Sequence, residues 1–192
     1  MKKTCKTLRH FIALGILLLM SGCVDFETYS QSLDLKKKTG VIICTGINSD
    51  SGNQTGIENN FKDLIEIFYG KSGEEKESQV KFLSKQLSTA DNKLNAKIEF
   101  AITGDITEKA LKEIGMSMSD DGSGNVVLTD VPADTYISSN AEVIQRGPTI
   151  DLKWPKNANR IEYKIKGSMK KDQKYTNLLP YWLEWKKKNG KG

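Results

Sequence analysis

An uncharged run, Phe11-Ile12-Ala13-Leu14-Gly15-Ile16-Leu17-Leu18-Leu19-Met20, decides how much of this chain is free to fold as a domain. As a helix its ten residues reach about 15 Å at about 1.5 Å per residue. A spanning helix needs roughly 20 residues, so the run is too short to cross a bilayer. Lys2, Lys3, Lys6 and Arg9 precede it with no acid among them, and the small residues Ser21 and Gly22 follow. A basic head, a short apolar core and a small-residue end make a secretory leader. The folding unit is therefore expected to start after Gly22.

Cys23 comes next. Residues 1–23 resemble the bacterial lipoproteins, whose lipobox sets an aliphatic residue and two small ones ahead of a Cys. Met20 stands at the third place before Cys23, where Leu is usual, with Leu19 beside it. The resemblance implies cleavage between Gly22 and Cys23 and a diacylglyceryl group on the Cys23 thiol. A further acyl chain such as palmitate then goes onto the new amino terminus, or that terminus stays free in some bacteria. Two or three chains would hold the protein on a membrane, where one alone holds only marginally. In these lipoproteins Asp directly after the Cys favours the inner membrane. Val24 holds that place here and Asp25 comes one later, so the resemblance implies the outer membrane, periplasmic face. An ordinary signal cut after Gly22 is the competing reading, and it would leave an unpaired exposed thiol at the mature start.

The leader takes four of the 29 basic residues and none of the 24 acidic ones, leaving 25 against 24 after Gly22. So balanced a chain offers no global basic surface to nucleic acid. Cys5 and the only histidine, His10, lie in the leader too. Without imidazole, Ser-His and Cys-His catalysis, His-ligated zinc and a His general base are all excluded. Cys44 is then the one thiol besides Cys23, so no intramolecular disulfide is expected. Its setting in Val41-Ile42-Ile43-Cys44 favours a buried small hydrophobe over a reactive thiol.

About 170 residues suit one domain. The expected organisation is a leader over 1–22, a lipidated N-terminus with a tether or first strand over 23–38, and a single α+β domain with a basic tail over 39–192. Val24, Phe26 and Thr28 alternate with Asp25, Glu27 and Tyr29 as in a strand, and Val41 to Thr45 suits a central strand. Ile57, Phe61, Leu64, Ile65 and Phe68, at offsets 0, 4, 7, 8 and 11, form one apolar helix face ending at Gly70, with Thr55 and Glu58 as a capping box. A second box at Ser72 to Glu75, then Val80, Leu83 and Leu87, predicts a second helix and a helical hairpin.

Leu94, Ala96, Ile98, Phe100 and Ile102 alternate with polar residues as a one-faced strand, and Asp105 suits the cap of a short helix reaching Gly115. Four β-like segments at 125–131, 135–145, 149–154 and 160–166 are separated by turn residues and imply an antiparallel meander. A short C-terminal helix closes the chain. The fold class is α+β, a mostly antiparallel sheet with an early helical hairpin.

Candidate sites are few. Ser119, Asp121, Ser123, Gly124 and Asp130 imitate a calcium loop. Ser replaces the first Asp, Asp replaces the closing Glu, and the following flank is strand-like, so a polar hairpin turn is expected. Asp120 or Asp121 with Glu108 or Glu113 could pair for glycoside hydrolysis, against the default of a solvated surface. Gly46, Gly52 and Gly56 lack the Lys-Ser/Thr of a phosphate loop. Trp182, Trp185, Lys186, Lys187 and Lys188 suit a second contact with an anionic membrane surface, or, more simply, a final helix whose aromatics dock on the sheet, followed by a frayed soluble tail.

No metal or cofactor is expected. The function expected is a non-catalytic binding or accessory module that meets a protein partner at the envelope. A carboxylate-only hydrolase acting on glycan is the alternative.

Overall fold

The computed structural model describes residues 24–70, 78–119, 122–167, 169 and 172–190. The leader with Gly22, and Cys23 after it, lie outside these residues, as do Asp120 and Asp121 and the second capping box at Ser72 to Glu75. The α+β class holds: a mostly antiparallel sheet structure with three short helices among the described residues.

Two long strands, β1 (Val24–Asp34) and β2 (Thr39–Ser49), form a hairpin at the centre of the larger sheet. On the far side of β2 lie β3 (Val80–Ala90) and β4 (Lys93–Ile102), and β4 alternates buried and open positions along its whole length. The turn between them is Asp91-Asn92, with both φ values positive at 52° and 58°, the geometry that fits tight antiparallel hairpins. Beyond β1 come β10 (Arg160–Lys166) and β7 (Tyr136–Ser139). The order is β3-β4-β2-β1-β10-β7, and β11 (Thr176–Asn177) pairs with the end of β2. A smaller sheet runs β5-β6-β9-β8, from β5 (Ser117–Met118), β6 (Val126–Pro132), β9 (Thr149–Trp154) and β8 (Glu142–Arg146).

The segment expected as one strand over 135–145 breaks at Asn140 into β7 of the large sheet and β8 of the small one. Asn140 Oδ1 accepts from the Trp154 indole at 2.6 Å and from the Glu162 amide at 2.8 Å, and its Nδ2 donates to the Arg160 carbonyl at 2.9 Å. One amide side chain thus ties the two sheets at the corner where the chain passes between them.

Helix α1 (Gln54–Tyr69) buries Ile57, Leu64 and Phe68, as its periodicity predicts, but its cap is Asn53 and not Thr55. Asn53 Oδ1 accepts from the Gly56 amide at 2.9 Å, and Glu58 meets Gln54 at 2.7 Å in place of closing a box. Helix α2 (Glu108–Glu113) shifts the other way and is capped two residues later than expected, by Thr107 accepting from the Ala110 amide at 3.2 Å, and not by Asp105.

The helical hairpin is corrected: Val80, Leu83 and Leu87 belong to strand β3. A bulge between Phe82 and Ser84 inserts Leu83, which changes the phase of the strand. Val80, Phe82, Lys85 and Leu87 therefore oppose Ile102, Phe100, Ile98 and Ala96. Leu83 is left exposed. Lys85 stays half-buried because its ammonium caps the C-terminal end of α1, donating to the Ile67 carbonyl at 3.0 Å, where the helix dipole favours a cation.

Helix α3 (Leu179–Asn189) ends at Gly190, whose φ of 61° gives the left-handed C-cap that glycine adopts freely. Lys186, Lys187 and Lys188 are part of this helix and not of a tail beyond it. The core is continuous beneath the large sheet. The Phe100 ring closes against Gly40, where an added Cβ would collide with Phe100 Cζ and approach the Ser32 carbonyl, so a side chain at position 40 forces Phe100 to shift.

Candidate functional site

Several sequence-level candidates are occupied by structure. Glu113 accepts from Ser78 Oγ at 2.9 Å and from the amides of Gln79 and Val80 at 3.0 Å each, so it fixes the start of β3. Glu108 accepts from the Met118 amide at 2.6 Å and pairs with Lys112 at 3.3 Å. Both carboxylates hold backbone amides. Strands β5 and β6 pair antiparallel on either side of the calcium-loop candidate, with the Ser119 amide donating to the Asn125 carbonyl at 2.8 Å, while Asp121 lies outside the described residues. Asp130 lies within β6, its amide bound to Asp151 Oδ1 at 3.2 Å. No cluster of three metal-ligating side chains occurs among the described residues.

The C-terminal aromatics are corrected in one respect. Trp182 is 3% exposed, which withdraws it from any contact with a membrane surface. Its ring stacks on Tyr69 at 5.6 Å and 9°, and Trp185 stacks on the same tyrosine at 5.0 Å and 25°. Lys186 lies over the Trp182 ring at 5.8 Å, and Lys188 pairs with Glu184 at 2.6 Å. The aromatics dock α3 onto the end of α1.

Beneath the sheet sits a buried polar knot. The hydroxyls of Tyr29 and Tyr163 both donate to Gln31 Oε1, at 2.5 and 3.0 Å, and Gln31 Nε2 donates to the Ile114 carbonyl at 3.4 Å. Burial raises both phenols well above their usual value, and burial pushes the Cys44 thiol up to about 12. A thiol so fully enclosed is a packing residue, as its setting in the sequence predicts.

The opposite face of the large sheet carries a groove of about 500 Å³. Its floor is Val41 and Ile43 of β2, and Ile43 is 39% exposed. Ser30 and Ser32 of β1 lie opposite Ile43 and Val41 in register, and Lys164 and Glu162 of β10 lie opposite Ser30 and Ser32. Ser138, Ser139 and Asn140 close the side. Glu162 is the one carboxylate in the lining, and Arg160 holds it at 2.8 Å. The groove therefore offers apolar contact at its base, hydroxyls along its walls and charges at its rim.

Motif reading missed these residues because they come from four strands, 30 to 164 in the chain. One signal was present: the run Val41 to Cys44 is apolar on both faces of its strand, whereas a sheet covered on one face alone alternates. No known protein family, curated protein or solved structure matches this chain.

Proposed function

We propose that this protein is a lipid-anchored lipoprotein of the bacterial cell envelope, at the periplasmic face of the outer membrane. It acts without catalysis, by holding a segment of a protein partner in the groove on the open sheet face. The observation that carries this reading is the apolar floor. Ile43 and Val41 stand on the solvent side of a central strand, where polar residues are the rule in a sheet with one covered face. Seryl hydroxyls and the rim charges of Arg160, Glu162 and Lys164 give the partner's backbone and side chains polar contacts around that floor. Interfaces draw most of their affinity from a small desolvated apolar centre inside such a polar rim.

Glycan hydrolysis is the less supported reading, because the general mechanism needs two facing carboxylates and Glu162 is alone in the groove lining. Affinity capture from detergent-solubilised envelopes tests the proposal, using the acylated protein with a Cys23→Ala control. One specific protein should be retained by the native chain, and Ile43→Arg should weaken its binding at least tenfold while leaving the unfolding midpoint nearly unchanged. Equal retention by Ile43→Arg would remove the groove from the reading. Recovery of glycan alone would favour the hydrolase.

A further inference from the structure

The position of β1 bears on how the protein meets its membrane. Val24 is 4% exposed and already paired with Ser49, one peptide bond beyond Cys23. Consecutive Cα atoms are about 3.8 Å apart, so acyl chains on Cys23 would leave almost no slack between bilayer and sheet. We infer that the domain rests directly on the lipid headgroups by the end of the large sheet at which β1 begins. The inference depends on the lipoprotein reading proposed above and adds the surface that meets the membrane.

The register identifies that end. Ser49 finishes β2 beside Val24, β11 pairs with the same two residues of β2, Ser49 and Asn48, and the Asp91-Asn92 turn closes β3 and β4 at the same end. The loop from Asp50 to Asn53 leads from there into α1. Exposed groups here, Gly52, Asn53, Asn92 and the single acid Asp91, are small or polar, suited to hydrogen bonding in a headgroup layer. The opposite end, with the β1–β2 turn at Lys36-Lys37, stands ten residues further along β1. At about 3.3 Å per residue that is about 33 Å away.

Pinned in this way, the groove opens sideways. Ser30 and Ile43, six residues along β1 from Val24 in register, stand about 20 Å above the headgroups. The partner is then a protein that rises from the same membrane surface to that height, approached laterally.

Fluorescence quenching tests the seat. The acylated full chain is placed in vesicles of phosphatidylethanolamine and phosphatidylglycerol that carry a headgroup nitroxide lipid. Single reporters are introduced by Gly52→Cys, where an added Cβ meets nothing within 4 Å, and by Thr89→Cys at the same end. Lys37→Cys and Asn157→Cys report the far end. Cys44, fully buried, stays unlabelled.

Reporters at 52 and 89 should be quenched severalfold more than those at 37 and 157. A flexible insert of about 12 residues between Cys23 and Val24, reaching roughly 20 Å, should abolish the difference while acylation is kept. Equal quenching at both ends, or a pattern that survives the insert, would overturn the seat while mass spectrometry still shows the acyl chains. Absence of those chains would overturn the lipoprotein reading, and the seat with it.

Discussion

Raising the pH from 9 to 11 is expected to remove about 5 kcal/mol of folding stability, enough to unfold a domain of ordinary stability, about 5–15 kcal/mol. Three deeply buried acids drive most of the loss, and the more open Tyr69, also raised by burial, adds to it in the same sense. Cys44 titrates near its ordinary value of 9.0 once unfolded but near 12 in the fold, because burial disfavours the thiolate. Tyr29 and Tyr163 are raised above the ordinary phenol value of 10.0, first by burial. A group whose folded pKa is raised stabilises fully below its unfolded pKa. As pH climbs past that value, the unfolded chain sheds its proton and gains up to about 1.4 kcal/mol per pH unit, until the folded pKa is reached.

The decline therefore starts near pH 9 on Cys44 alone and steepens above pH 10, when both phenols join. Lys85 works in the opposite sense, since burial lowers its pKa; half-buried, it offsets little. Urea unfolding followed by tryptophan fluorescence at pH 8, 9, 10 and 11 checks this. Cys44→Ala should move the onset from near pH 9 to near pH 10. A stability that stays flat to pH 11 would show that the Tyr29–Gln31–Tyr163 knot and Cys44 are reached by water.

Some parts of this fold were legible in the sequence and others were not. β4 and α1 were, because each keeps one period over its whole length, and burial follows Leu94 to Ile102 and Ile57 to Phe68 as the patterns require. β3 was not. Its bulge at Leu83 leaves the half-buried and buried positions Val80, Phe82, Lys85 and Leu87 at offsets 0, 2, 5 and 7, and one of these carries a charge. A period-2 pattern broken once resembles a helical one over so short a length.

Helix starts were misplaced for a related reason. Asn53 and Thr55 are both good caps, and the choice rests on which backbone amide lies within reach of the side chain. The groove was the least legible feature. Ser30, Ile43, Ser138 and Lys164 become neighbours only through the order β2-β1-β10-β7, and no local pattern encodes that order. The aromatic tail was legible as a docked helix, and Trp182 beneath Tyr69 shows what it docks on.

Asn140→Ala is expected to destabilise the protein by about 2–3 kcal/mol, far more than an exposed polar residue at a corner ordinarily would. The side chain removed is the shared acceptor of the Trp154 indole and the Glu162 amide. Trp154 is 1% exposed, and Asn140 is the acceptor its indole N–H uses. An unsatisfied buried donor costs about 1–3 kcal/mol, and the lost bond to the Arg160 carbonyl adds to it. Trp154→Phe removes the indole donor together with part of the ring, and should cost about 1–3 kcal/mol alone.

The decisive quantity is the double variant. With the donor gone, Asn140→Ala strands one group fewer, so the pair should cost about 1 kcal/mol less than the two single changes added together. Chemical unfolding of the four proteins measures this, and strict additivity would mean that the two residues do not depend on each other. Asn140 also lines the groove beside Ser138 and Ser139. If the groove holds a partner as proposed, freeing the corner weakens retention along with stability, whereas Trp154→Phe, which keeps the Asn140 bonds to β10, leaves retention close to native.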